Sequence, residues 1–406
     1  MKTSRWDNFL IVAVMVQVLL TGVSFGLKDQ GNIYDNLASI SQNMVVVKEP
    51  AYIPPQKLAN PPEIVRAVYV TGYSAGAGKY LDYLTNLFKT TEINAVVVDI
   101  KDYSGLVSYK SKAPNAQKYN LYNNAIPDID SLVRFFHDQN IYVIGRIAVF
   151  EDPSFAKART DLAIYNKSQT TDKSRPILWQ DSNGLSWVDP ASKEVWDYNI
   201  SLAKDALYHG FDEINFDYVR FPSDGSVKNM SFSVWDEKIP RQEVIKGFFV
   251  YLRSQLSGDK ISADLFGQTT INKDDMGIGQ IIENAFENFD YISPMIYPSH
   301  YINGFMGFAN PAEHPYEVIK YSMDAALARG NNLLKQSDNL ASLQTTQQRP
   351  VAVLRPWLQD FNMGANYDAE MVKKEIKATQ DSLGQSYKGY MLWNPSNVYT
   401  KDAVLK

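Results

Sequence analysis

The chain has 406 residues, a formal net charge of −5, no cysteine and four histidines. That length holds one large domain or two ordinary ones. The acidic balance without a basic cluster argues against a nucleic-acid partner, absent cysteines exclude disulfides and thiolate metal sites, and His137, His209, His300 and His314 never fall at metal-ligand spacing.

Lys2 and Arg5 precede an apolar run from Phe9 to Leu27 that is long enough to cross ~30 Å of hydrocarbon. No A-x-A-like cleavage site follows, and Gly22-Val23-Ser24 is a weak substitute. Residues 1–27 are therefore expected to form a transmembrane anchor, with a cleaved signal and a secreted product as the alternative. Basic residues ahead of the span put the C-terminal bulk outside the cytoplasm, at the cell surface or in the periplasm. Residues 28–60 read as a linker, with Pro50, Pro54 and Pro55 in its second half.

Eight β-rich runs follow: Ile64–Gly72, Ala95–Lys101, Tyr142–Phe150, Glu213–Phe221, Ile261–Gly267, Tyr291–Tyr297, Val351–Leu358 and Gly389–Trp393. Amphipathic candidates lie between them at Tyr80–Lys89, Ile129–Gln139, Ser192–His209, Arg241–Ser254, Tyr316–Ala328 and Ala369–Ser382. Strand and helix alternating eight times predict an α/β fold, a closed (β/α)8 TIM barrel over residues 61–406. The length calls for insertions, and Glu151–Pro190 after the third strand and Ser299–Pro350 after the sixth are the candidates. Gly72–Lys79 sits between strand and helix, but Tyr73 and Tyr80 occupy the positions where a P-loop needs Gly and Ser or Thr. No nucleotide is expected.

Strand alternation gathers polar residues at the barrel mouth: Asp99 and Lys101, Arg146, Asn215 and Asp217, Asp264, Tyr297, then Arg355 with Trp357, and Trp393. Unpaired buried charge is costly, so these residues either pair with one another or serve chemistry. Asp264 stands inside an otherwise apolar run, I-S-A-D-L-F-G, and Asp217 ends the strand of F-D-E-I-N-F-D-Y-V-R-F-P-S-D. Their strands are neighbours in a barrel, and two carboxyls flanking a glycosidic bond are what glycoside hydrolysis needs. Asp360 is a third carboxylate held in reserve. A Schiff-base role for Lys101 is disfavoured by the aspartates on either side of it. The tryptophans at 179, 187 and 235 serve either sugar stacking or the loops' own cores, Trp196 has core spacing, and Trp357 and Trp393 are the platform candidates.

The segments R-A-V-Y-V-T-G-Y-S-A-G from Arg66, G-F-D-E-I-N-F-D-Y-V-R-F-P from Gly210, H-P-Y-E-V-I from His314 and L-R-P-W-L-Q-D-F from Leu354 resemble a bacterial family. That family is described as the "putative glycosyl hydrolase domain", and the resemblance spans roughly residues 62–400. It implies a (β/α)8 barrel with glycosidase chemistry. The segment F-D-E-I-N-F-D-Y-V also looks like the chitinase-type signature, but Val219 stands where that signature has its acid glutamate. By strand position, Asp217 and Asp264 look more like the pair in barrels related to α-amylase.

The expectation is thus a glycosidase acting on a cell-surface or envelope polysaccharide. Asp217 would be nucleophile or base and Asp264 general acid. Asp99, Arg146, Asn215, Tyr297 and Arg355 would position the sugar, with Trp357 and Trp393 as stacking surfaces. No cofactor is implied, although Asp99 and Asp102 could share a cation. The alternative is a non-catalytic barrel that binds glycan or scaffolds envelope partners.

Overall fold

The computed structural model describes residues 53–172, 174–341 and 351–406. The expected anchor at 1–27 and most of the linker lie outside the described residues. Among the described residues, no helix is long and apolar enough to cross a membrane. Pro54–Lys406 forms one compact unit.

Eight parallel strands close into a barrel. They are β1 (Val65–Val70), β2 (Ala95–Lys101), β3 (Tyr142–Ala148), β4 (Glu213–Asp217), β5 (Lys260–Phe266), β6 (Tyr291–Met295), β7 and β8 (Gly389–Trp393), where β7 is split into Val353–Leu354 and Trp357–Gln359. Neighbours pair in chain order, β8 pairs with β1, and Trp357 opposite Met295 joins the second half of β7 to β6. Helices α1 (Gly78–Thr90), α2 (Ile129–His137), α3 (Lys193–Tyr208), α4 (Arg241–Gln255), α5 (Ile282–Phe286), α6 (Pro315–Ala341) and α7 (Ala369–Leu383) fill the seven crossovers. Side-chain caps start several of them: Asp128 accepts from the Ser131 N–H, Ser192 from Val195 and Asp368 from Met371.

The strands are continuous apolar runs because both faces are covered, one by helices and one by the barrel interior. Val65, Ala67, Ala95, Val97, Ile144 and Met391 plug that interior. Gly389 begins β8 at φ +108°, where a Cβ would lie 1.7 Å from the Val65 carbonyl oxygen. Only glycine allows β1 and β8 to close the cylinder there.

Two expectations are corrected by local geometry. The register between β2 and β3 shifts between Asp99 and Lys101. That bulge breaks the alternation and turns Lys101 out of the barrel. Its ammonium donates to Asp152 at 2.6 Å, with both side chains fully buried, and lies over the Tyr198 ring of α3. The insertion expected at Ser299–Pro350 is largely ordinary crossover: three short 3-10 turns lead into α6, and 342–350 lie outside the described residues.

The loop after β3 is a true elaboration. Tyr165–Asn166 pairs antiparallel with Met230–Ser231 in the loop after β4, tying the two together. Trp179 and Trp187 are fully buried inside this pair of loops, and Trp235 packs with Phe221 and Phe232. These three tryptophans form loop cores.

Candidate active site

The inward residues of β2 to β7 build the site in layers. In the lowest, Glu213 of β4 pairs with Arg355, both fully buried, and also accepts from Ser262 Oγ at 2.6 Å. The Tyr291 ring lies 4.2 Å beneath the Arg355 guanidinium. Arg355 therefore does not stand at the mouth, as alternation suggested. It sits between the two halves of β7, closed off from the cavity above.

Arg146 of β3 occupies the middle. Its Nη1 donates to Asp99 Oδ1 at 2.5 Å, its Nη2 to Asp217 Oδ2 at 2.5 Å, and its Nε lies 3.6 Å from Asp264 Oδ2. Burial opposes the guanidinium charge, but Asp99 and Asp217 hold it firmly protonated. Asp99 also accepts from the Tyr69 hydroxyl at 2.5 Å. It supports Arg146 from below and does not line the cavity. Asp102 turns to the Ser104 backbone and hydroxyl, so the two aspartates proposed to share a cation take different partners.

The upper layer carries the two candidate carboxyls. Asp217 Oδ1 accepts from the Tyr218 N–H at 2.5 Å. Tyr218 has φ +53°, a left-handed conformation that a bulky residue rarely adopts and that turns this N–H back onto the aspartate. Asp264 Oδ1 accepts from Asn215 Nδ2 and from Trp357 Nε1, both at 2.8 Å, while Oδ2 has no hydrogen-bond partner. Burial first, and then the Asp217 charge, push Asp264 well above the usual carboxylate range, against the pull of Arg146, Asn215 and Trp357.

Both carboxyls line a cavity of about 350 Å³ at the C-terminal end of the strands, where barrels keep their active sites. Tyr297 stacks on Trp393 with centroids 5.4 Å apart and planes at 28°, and the pair forms one wall. Trp357 also lines the cavity, but it is nearly buried and hydrogen-bonded to Asp264. It acts as a donor more than as the open stacking face expected of it. Asn215 lies beneath, holding Asp264. Asp360 sits elsewhere, with its oxygens taken by the backbone and hydroxyl of Thr400.

Glu151 and His300 escaped the sequence reading because they stand on loops, where alternation has no reach. Arg220 fell inside the expected run Glu213–Phe221, on the face opposite Asn215 and Asp217, and is freed from that face because β4 ends at Asp217. Arg220 and His300 line the cavity. Glu151 is nearly buried just past β3, and burial, then the charge of Asp181, push its carboxyl up to about 8, against the pull of Arg220. Between its ordinary 4.5 and about 8, the folded state keeps a proton that the unfolded chain gives up, so stability falls as pH rises through that window. The stability gained by Glu151→Gln is thus expected to grow from pH 5 to about 8 and then level off, as followed by urea denaturation. A gain independent of pH would mean Glu151 is ionised in the folded protein.

A closed parallel barrel with paired carboxyls in an aromatic cavity at its C-terminal face is the architecture of the glycosidase-type barrels. The chain belongs to the family described as "putative glycosyl hydrolase domain", whose model matches residues 67–399. A hypothetical protein from Ruminiclostridium thermocellum is 39% identical, over 48% of this chain and 96% of that one, with a TM-score of 0.43. The PgaB (BpsB) glycoside hydrolase domain from Bordetella bronchiseptica is 14% identical, with 84% and 99% covered and a TM-score of 0.56, a likeness of fold. The α-galactosidase TtGalA from Thermus thermophilus is 13% identical, with 86% and 61% covered and a TM-score of 0.47. No curated protein matches the chain.

Proposed function

We propose that this barrel is a glycoside hydrolase that cuts a cell-surface or envelope polysaccharide with Asp217 and Asp264. The observation that carries the reading is the unlike environment of two carboxyls on one arginine. Asp217 accepts two strong hydrogen bonds, as an anion would, and suits a nucleophile or base. Asp264 is pushed toward its protonated form, with one oxygen free of hydrogen bonds and 3.6 Å from Arg146 Nε, and suits a general acid. Tyr297 and Trp393 would receive a sugar ring, and Arg146 would hold both carboxyls in place. The apolar run at 9–27 supports a membrane anchor with the barrel outside the cytoplasm.

The acid role has a direct test. The Trp357 indole N–H favours ionised Asp264, so Trp357→Phe removes a bond that holds its pKa down. The alkaline limb of the kcat/KM profile is expected to move up by about one to two units, since a hydrogen bond to a charged group is worth about 1.5–3 kcal/mol. An unmoved limb in a folded variant would remove Asp264 from the acid role.

The second reading is a glycan-binding barrel without turnover. Its support is Val219, fully buried where the chitinase-type signature has an acid, together with an Asp264 that is itself 1% exposed.

A further inference from the structure

Two arginines line the cavity, and they differ in one respect. Arg146 is surrounded by carboxylates, whereas Arg220 has none: among the described residues, no Asp or Glu oxygen comes within 4.0 Å of it. Arg220 is nonetheless 7% exposed. Its guanidinium lies 4.6 Å from the Phe266 ring centroid, 4.8 Å from Trp187 and 5.4 Å from Tyr218. Nη1 donates to the Phe221 carbonyl at 3.1 Å and to Ser223 Oγ at 3.2 Å, and these are its hydrogen bonds among the described residues. The Nε–Nη2 edge is left without a protein acceptor.

A cation held among aromatic rings, with its outer fork free, is expensive to maintain and strengthens any anion that reaches it. The nearby acids do not serve. Asp217 is engaged by Arg146 and the Tyr218 N–H, and Glu151 keeps its proton up to about pH 8. Asp224 acts on Arg220 only at longer range. The free edge presents two parallel N–H groups, the spacing that binds a planar carboxylate in bidentate fashion.

We propose that Arg220 is the subsite for the carboxylate of an acidic sugar, so that the glycan this cavity takes is a uronate-containing one. The inference rests on the hydrolase reading for its chemistry, but its binding step can be measured alone. The Tyr297–Trp393 wall would hold the ring while Arg220 reads its carboxylate, and the water-poor surroundings of Phe266 and Trp187 sharpen that charge recognition.

The test is calorimetric titration of full-length protein carrying Asp217→Asn, which blocks turnover. The ligands are uronate oligosaccharides, neutral oligosaccharides of the same linkage, and sulfated ones. Uronates are expected to bind at least tenfold more tightly than neutral sugars, and less tightly as salt rises. Adding Arg220→Gln should cost roughly thirtyfold or more, and Arg220→Lys should restore part of it. Thermal melting checks that each variant is folded. Equal affinity for neutral sugars, undiminished uronate binding in folded Arg220→Gln, or no uronate binding overturns the inference. Equal binding of sulfated sugars overturns the carboxylate assignment.

Turnover, assayed with Asp217 intact, separates the two claims. Hydrolysis confined to neutral glycans sinks the uronate inference and leaves the hydrolase reading standing. Arg220-dependent uronate binding without hydrolysis sinks the hydrolase reading and leaves the subsite standing.

Discussion

Asp217→Asn is expected to lower turnover on the order of 10⁴-fold or more while leaving glycan binding measurable, because removing a nucleophile or base leaves only binding and positioning behind. The substitution keeps the shape and the acceptor oxygen toward Arg146 or Tyr218, so it changes the charge without opening a void. Arg146 keeps Asp99 as a partner, which limits the structural cost. A variant that still folds, binds and cuts at more than about a tenth of the parental rate would move the chemistry off β4.

The second large effect lies below the cavity. Arg355→Met should destabilise the protein by about 3–5 kcal/mol, because it strands the Glu213 carboxylate in a fully buried layer. Replacing Glu213 by Gln in the same chain should recover much of that loss, since the remaining partners, Ser262 Oγ and the Tyr142 hydroxyl, are neutral. Urea denaturation of the single and double variants measures the coupling. Near-parental stability of Arg355→Met would show that the pair contributes little. A loss of glycan affinity at parental stability would instead return Arg355 to the sugar-positioning role that its sequence position suggested.

The barrel was legible because its strands are short apolar runs at regular spacing, and the helices between them carry amphipathic periodicity. Alternation also put Asp99, Arg146, Asn215, Asp217 and Asp264 on one face, and the structure gathers the three aspartates around the Arg146 guanidinium, with Asn215 holding Asp264. The same rule failed where the backbone departs from it. The bulge after Asp99 sends Lys101 to Asp152, and the break in β7 lowers Arg355 onto Glu213. Glu213 was readable in principle: it shares a face with Asn215 and Asp217, and a buried glutamate needs a cation.

Loop residues are a different matter. Glu151 and Arg220 take their meaning from what folds over them, Asp181 and Trp187 from one loop and Phe266 from the end of β5. No periodicity carries that information. The depth of Trp357 was likewise invisible, since a strand-end tryptophan looks the same in sequence whether it faces a sugar or an aspartate. The left-handed turn at Tyr218 gave no signal either, because glycine, the usual mark of such a turn, is absent there.

The central claim is that Asp217 and Asp264 together cut a glycosidic bond. Its most direct test is the release of reducing ends from a panel of neutral and acidic polysaccharides by the full-length protein, with Asp217→Asn and Asp264→Asn measured beside it. Release from at least one glycan by the parent is expected, with its loss in both variants while they still bind that glycan. Binding by all three proteins with release by none, or release that survives both substitutions, would contradict it.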